Sequence, residues 1–215
     1  MEKNKALEVI KLLDEYIQNP VTELNYSSNF ELLVAVILSA QCTDKRVNIV
    51  TSELFKKFNK PQDFAQMDIK LLEKYIHPCG FYHNKAKNII ECSKQIVSKF
   101  GGQVPDNFDD LVSLAGVGRK TANVMLIVAF DKPAIPVDTH IFRVSNRLGL
   151  TNAKTEEECE RQLTKLFASH KDMWGKLHHL ILLYGRYTCK AIKPDCENCI
   201  LTKYCKNYIN KQTKG

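Results

Sequence analysis

Apolar residues recur every three or four positions along most of the chain. Leu7, Ile10, Leu13 and Ile17 form one such row, Ile89, Cys92, Ile96 and Phe100 a second, and Leu163 with Phe167 a third. This is the period of an amphipathic helix, and no segment shows the strict alternation of a half-buried strand. The pattern predicts an all-α fold.

Polar residues and glycines punctuate the rows. Ser28 or Asn29 precedes the Phe30 run, Thr43 or Asp44 precedes Val47, Asp106 precedes Phe108, Asp138 precedes Ile141, and Thr155 precedes three glutamates. Side chains of these types accept hydrogen bonds from first-turn amides and so mark helix starts. Glycines follow Phe100 and Leu148, where a helix can end in a left-handed residue. Beyond Tyr208 the pattern fades into a polar tail. Connectors are short and no Gly/Ser-rich linker appears, which argues against two domains on a tether and leaves one large domain or two interleaved lobes.

Composition narrows the function classes. With 44% hydrophobic and 26% charged residues over 215 positions, the chain can bury a core and is not a disordered polymer. The longest apolar run, Phe30 to Ala40, contains Glu31 and is too short to cross a bilayer, and the opening Met-Glu-Lys-Asn-Lys has no signal core behind it. A cytoplasmic protein with no membrane partner is expected, with monomer as the default. The formal charge is +7, and from Arg186 onward seven Lys or Arg stand against two acids. That balance suits a polyanionic partner.

Two features carry chemistry. Cys189, Cys196, Cys199 and Cys205 crowd into the C-terminal stretch, with six, two and five residues between them. Their grouping, without a secretion signal, favours metal ligation over disulfides. The spacing contains one Cys-x-x-Cys and matches neither a zinc ribbon nor the usual ferredoxin patterns, so the residues alone leave zinc and iron–sulfur both open. Cys42, Cys79, Cys92 and Cys159 stand singly and read as small buried hydrophobes.

The second feature is Gly116-Val117-Gly118-Arg119-Lys120, set between a short helix and a longer one running to about Phe130. Two glycines allow unusual backbone angles, and the amides of Val117, Gly118 and the next helical turn are expected to point outward, unpaired, toward a phosphodiester. The bland alternative is a glycine turn between packed helices. A lysine of ordinary pKa, about 10.4, is protonated at neutral pH and is no nucleophile. Position in a first helical turn beside Arg119, with partial burial, would lower that value; otherwise Lys120 is a phosphate contact. Asp138 opens a later helix. The helix from Lys120 is about 15 Å long and the extended Asp-Lys-Pro-Ala-Ile-Pro-Val return reaches about 23 Å, so Asp138 can come back to face Lys120. As a plain N-cap it would contribute about 1 kcal/mol.

Leu-Ser-Ala-Gln at 38 to 41, the Gly-Val-Gly-Arg-Lys-Thr-Ala hairpin, Val-Asp-Thr-His-Ile-Phe-Arg from 137 and the four-cysteine tail occur in this order. Together they resemble the endonuclease III family over nearly the whole chain. The resemblance implies a two-domain helix-hairpin-helix glycosylase. A six-helix domain would span 22–133, with its hairpin near 108–130. Residues 1–21 and 134–215 would form an iron–sulfur domain, with double-stranded DNA lying across a cleft between the two. It implies base excision repair of oxidised pyrimidines, with strand cleavage by β-elimination at the abasic site. Lys120 and Asp138 match the catalytic pair, and Cys189, Cys196, Cys199 and Cys205 match the ligands of a 4Fe-4S cluster. Gly116, Val117, Gly118 and Arg119 would grip phosphate, while Gln41 and Phe81 would fill the gap left by the extruded nucleotide. Lys190 and Lys193 are further DNA contacts, and Asp44 and His140 are candidate pocket residues. Phe81 stands where relatives usually carry leucine, and Ala115 where proline is frequent. The rivals are a monofunctional glycosylase of the same superfamily, against which Lys120 and the end at Gly215 argue, and a non-catalytic iron–sulfur DNA-binding protein, which leaves the pair Lys120 and Asp138 unexplained.

Overall fold

A computed structural model describes residues 1–213 and shows helices and connectors, with no strand among the described residues. The chain divides into two compact units, one of residues 1–22 and 132–213 and the other of 23–131.

The 23–131 unit is built around α2 (Asn29–Ser39), in which every residue from Phe30 to Leu38 is buried. A helix apolar on all sides can satisfy itself only by being surrounded. Against it pack α3 (Asp44–Leu54), α6 (Tyr82–Lys99) and α8 (Arg119–Ala129), while α4 (Pro61–Ala65) and α5 (Ile69–Ile76) pack on α6 and α7 (Phe108–Ser113) packs on α8. That is seven helical segments where six were expected. The five-residue α4 is too short to write a period into the sequence. Ser28 caps α2 by accepting from the Glu31 amide at 3.2 Å, and Glu31 accepts from the Ser27 amide at 2.6 Å, a reciprocal arrangement that holds the buried carboxylate.

The other unit joins α1 (Lys3–Tyr16) to α9 (Thr139–Leu148), α10 (Glu156–Leu166), a 3-10 turn (Lys171–Met173), α11 (Trp174–Tyr187) and α12 (Lys206–Gln212). Its core includes Val9, Leu13, Ile141, Val144, Phe167, Leu177 and Tyr184, with Cys189, Cys199 and Cys205 packed against its edge.

Local signals locate most boundaries. Thr43, Asp138 and Thr155 are N-caps, and Gly149 closes α9 at φ +83. Two expectations are corrected. Asn107, not Asp106, caps α7, accepting from the Asp110 amide at 2.9 Å, because its side chain lies one residue nearer that donor. Of the polar tail after Tyr208, residues 209–212 belong to α12, which packs on α9 closely enough that a Cβ at Gly149 would lie 3.1 Å from Lys206 Cβ, and residues 214–215 lie outside the described residues.

Candidate active site and cysteine segment

In the hairpin only one glycine is required by backbone angle. Gly116 has φ +77, and a Cβ there would lie 2.8 Å from Asn88 Cβ on α6. Gly118 has φ −89 and ψ 176, open to any residue, and an added Cβ would meet nothing within 4 Å. Its missing side chain leaves open space in front of the α8 N-terminus. The Val117 amide is not outward and unpaired as expected: it donates to Leu114 O at 3.1 Å, and Val117 is 5% exposed, because the turn closes on itself. The Ala115 amide donates to Gln95 Oε1 at 2.8 Å, a bond a proline there would forgo. The Ala122 amide donates to Gly118 O at 2.9 Å, which closes the first turn of α8. Arg119 and Lys120 are exposed at this end, with the Arg119 guanidinium 5.2 Å from the centre of the Phe108 ring.

Gln41 and Phe81 lie in the same unit as the hairpin, and both adopt the left-handed conformation, at φ 52 and 58. Phe81 is 66% exposed. Lys193 is a third residue of this kind, at φ 50, so three of the four non-glycine residues with positive φ among the described residues are DNA-contact candidates. Each such residue costs roughly 1–3 kcal/mol of backbone strain, which proteins keep chiefly where function needs it. The two turns are bound together by Lys85, a residue the sequence did not single out. It is 6% exposed, and its ammonium donates to Leu38 O at 2.8 Å and Ala40 O at 2.7 Å, closing the end of α2 onto α6. Burial lowers its pKa from the ordinary value. Asp44 is the first residue of α3 and half-buried; the cap is its neighbour Thr43.

Asp138 belongs to the other unit. One carboxylate oxygen accepts from the His140 and Ile141 amides, each at 2.9 Å, so the side chain is held rigidly while remaining half-exposed. His140 is engaged through Nδ1 with Arg143 Nη2 at 3.2 Å, which ties its ring to α9.

Lys190 and Lys193 are exposed on the loop after α11. This loop is fixed by two arginines one helical turn apart on α9, whose i,i+4 spacing was the available signal. Arg143 donates to Gly185 O at 2.8 Å and Cys189 O at 3.1 Å, and Arg147 to Lys190 O at 2.7 Å and Ala191 O at 3.0 Å. Arg147 also points a guanidinium nitrogen at Cys189 Sγ, 3.5 Å away, and Tyr184 Oη lies 3.0 Å from Cys199 Sγ. All four tail cysteines are half-buried and unbridged. Burial pushes the Cys205 thiol above its ordinary pKa, so a cationic ligand partner is what would favour its thiolate.

No group of three or more His, Cys, Asp or Glu among the described residues is gathered to hold a single ion. A tetrahedral zinc site, with Zn–S near 2.3 Å, needs sulfurs roughly 3.8 Å apart. A cube in which each thiolate takes its own iron needs them farther apart. Four half-buried thiols, with Arg147 and Tyr184 directed at two of the sulfurs, could serve either centre.

The sequence between residues 34 and 169 matches the HhH-GPD superfamily of base excision DNA repair proteins. Endonuclease III of Haemophilus influenzae is 46% identical over 205 residues, covering 95% of this chain and 96% of that protein. Endonuclease III of Bacillus subtilis is 47% identical over 193 residues, 90% and 88% of the two chains. The solved structure of a trapped endonuclease III–DNA covalent intermediate superposes with a TM-score of 0.93 at 40% identity, covering 99% of both chains. With an all-helical fold, a lysine behind a Gly-Val-Gly hairpin, an amide-held aspartate and a four-cysteine segment, this chain belongs to the endonuclease III family of the HhH-GPD superfamily.

Proposed function

We propose that this base excision repair enzyme is a bifunctional DNA glycosylase and abasic-site lyase acting on oxidised pyrimidines in double-stranded DNA, with Lys120 as nucleophile and Asp138 as the supporting carboxylate. The observation that carries the reading is Lys120 itself. It is exposed in the first turn of α8, directly behind a glycine whose missing side chain leaves room for a phosphate. Phosphodiester held there by the Gly118 amide and Arg119 would set the sugar of an extruded nucleotide before the amine.

The chemistry follows in order. The Lys120 amine attacks the anomeric carbon and the damaged base leaves. The carboxylate of Asp138, immobilised by two amides, stabilises positive charge developing on the sugar. The Lys120 adduct opens to a Schiff base, which permits loss of a proton from the adjacent carbon and departure of the 3′ phosphate by β-elimination. Gln41 and Phe81, held in strained turns, would occupy the space left in the duplex.

Cys189, Cys196, Cys199 and Cys205 would hold a 4Fe-4S cluster, whose contribution when bound is to fix the loop that carries Lys190 and Lys193. Those two lysines would then meet backbone phosphate. We read 22–133 as the helix-hairpin-helix domain, six helices besides the single-turn α4, and 1–21 with 134–215 as the cluster domain. No helix among the described residues is long and apolar enough to cross a membrane, and we place the protein in the cytoplasm at the nucleoid.

Borohydride reduction during reaction with an oligonucleotide carrying thymine glycol or an abasic site tests the assignment. A covalent protein–DNA adduct is expected, absent in Lys120→Ala. An undiminished adduct in that variant would move the nucleophile elsewhere. Asp138→Asn should bind DNA and turn over slowly, and full activity would reduce Asp138 to a cap.

A further inference from the structure

Of the four cysteines outside the tail, Cys92 and Cys159 are sealed in α6 and α10 and read as packing. Cys42 and Cys79 do not behave as isolated residues. Each sits in the third position after a helix, with its amide closing the same kind of turn, Cys42 N to Ser39 O at 3.0 Å and Cys79 N to Ile76 O at 2.8 Å. The fold brings these two turns together. A Cβ at Gly80 would lie 3.9 Å from Gln41 O, so the residues flanking the two cysteines meet, and the two thiols are close enough to act on each other electrostatically. Lys85, which clamps the first turn, is close enough for its ammonium to act on both sulfurs. On one side of the pair lies Gln41 and on the other Phe81, both at positive φ.

We propose that Cys42 and Cys79 form a peroxide-sensitive thiol pair, whose disulfide tethers the turn carrying Gln41 to the turn carrying Phe81. The two sulfurs have unequal access: Cys42 is half-exposed and Cys79 fully buried. Cys42 therefore meets a hydroperoxide first. Its sulfur attacks the peroxide oxygen, the O–O bond breaks, and sulfur is oxidised by two electrons to a sulfenic acid while the peroxide is reduced to water or an alcohol. The Cys79 sulfur then attacks the Cys42 sulfur, the S–O bond breaks, and the oxygen leaves as water with the proton Cys79 gives up. Cys79, buried out of reach of peroxide, is left as the resolving thiol. A dithiol reductant reverses the change. The consequence for catalysis rests on the reading that Gln41 and Phe81 enter the duplex: fixing their separation misplaces them, and misplacement near 1 Å slows an enzyme by on the order of tenfold or more.

The test uses the cluster-loaded enzyme and its Cys42→Ser and Cys79→Ser variants. Each is treated with hydrogen peroxide, alkylated, digested and mapped by mass spectrometry, and excision from duplex DNA is timed before and after dithiothreitol. The wild type should yield a cross-linked peptide joining Cys42 to Cys79 and lose roughly tenfold in excision rate, both restored by reductant. Neither change should occur in the variants, which retain every tail cysteine and so report any peroxide damage there. Two free, alkylatable thiols in treated wild type would overturn the pair. A cross-link with unchanged excision would uphold the pair and overturn the placement of Gln41 and Phe81 in the duplex.

Discussion

Replacing Gly116 or Gly118 with alanine should separate the two roles that the hairpin glycines play. At Gly116 the new side chain must sit at φ +77, which costs an L-residue roughly 1–2 kcal/mol. It must also stand 2.8 Å from Asn88 Cβ. That atom is fixed by the backbone of α6 and cannot rotate away, so overpacking adds about 1–3 kcal/mol. The sum is about 2–5 kcal/mol, a drop of roughly 1–2.5 M in urea midpoint at a slope near 2 kcal/mol per molar. At Gly118 the backbone is ordinary and nothing lies within 4 Å. Alanine is a poorer cap than glycine by several tenths of a kcal/mol, while the stiffer unfolded chain returns about 0.4–1 kcal/mol, leaving stability changed by about 0.5 kcal/mol or less. Yet Gly118→Ala fills the space reserved for a phosphate. It should weaken binding to a duplex with an abasic-site analogue and lower the salt slope by about 0.9 for one lost contact. Urea unfolding followed by circular dichroism, and affinity across a salt series, read the two effects. A Gly116→Ala protein as stable as wild type would refute the steric reasoning, and unchanged affinity and slope in Gly118→Ala would refute the phosphate role.

Lys85→Met keeps the length of the side chain but leaves Leu38 O and Ala40 O without their donor, and should cost about 2–4 kcal/mol in thermal or urea unfolding. It should also slow excision from duplex DNA more than lyase action on a single-stranded abasic oligonucleotide, which needs no gap-filling turns; equal losses would leave Lys85 with a structural part only. Arg147→Met removes the donors to Lys190 O and Ala191 O, and iron should be lost faster to a chelator than from wild type, as followed by visible absorbance. Burial, reinforced by Arg186, lowers His179 from 6.5 to about 4. The unfolded chain therefore takes up the proton first, so this stability is complete above pH 6.5 and is lost as pH falls toward 4, by on the order of 2–3 kcal/mol. His179→Leu should flatten that part of a stability–pH curve, and an unaltered curve would discard the assignment.

What the chain determined by itself is local. Helical rows, the caps at Ser28, Thr43, Asp138 and Thr155, and the glycine stop at Gly149 act within one turn of backbone, so they are written in neighbouring residues and were legible without coordinates. The hairpin and the cysteine tail were also visible as short runs of residues, although the residues alone left both zinc and iron–sulfur open for the tail. The reason for each glycine was not: Gly116 is explained by Asn88, 28 positions earlier in sequence, and Gly118 by the absence of any neighbour. Lys85 reads like any surface lysine until the end of α2 is folded against it, and Cys42 and Cys79 look solitary until their two turns meet. Such contacts depend on burial and on segments distant in the chain, where no periodicity or spacing can record them, and only the tertiary structure brings the partners within bonding distance.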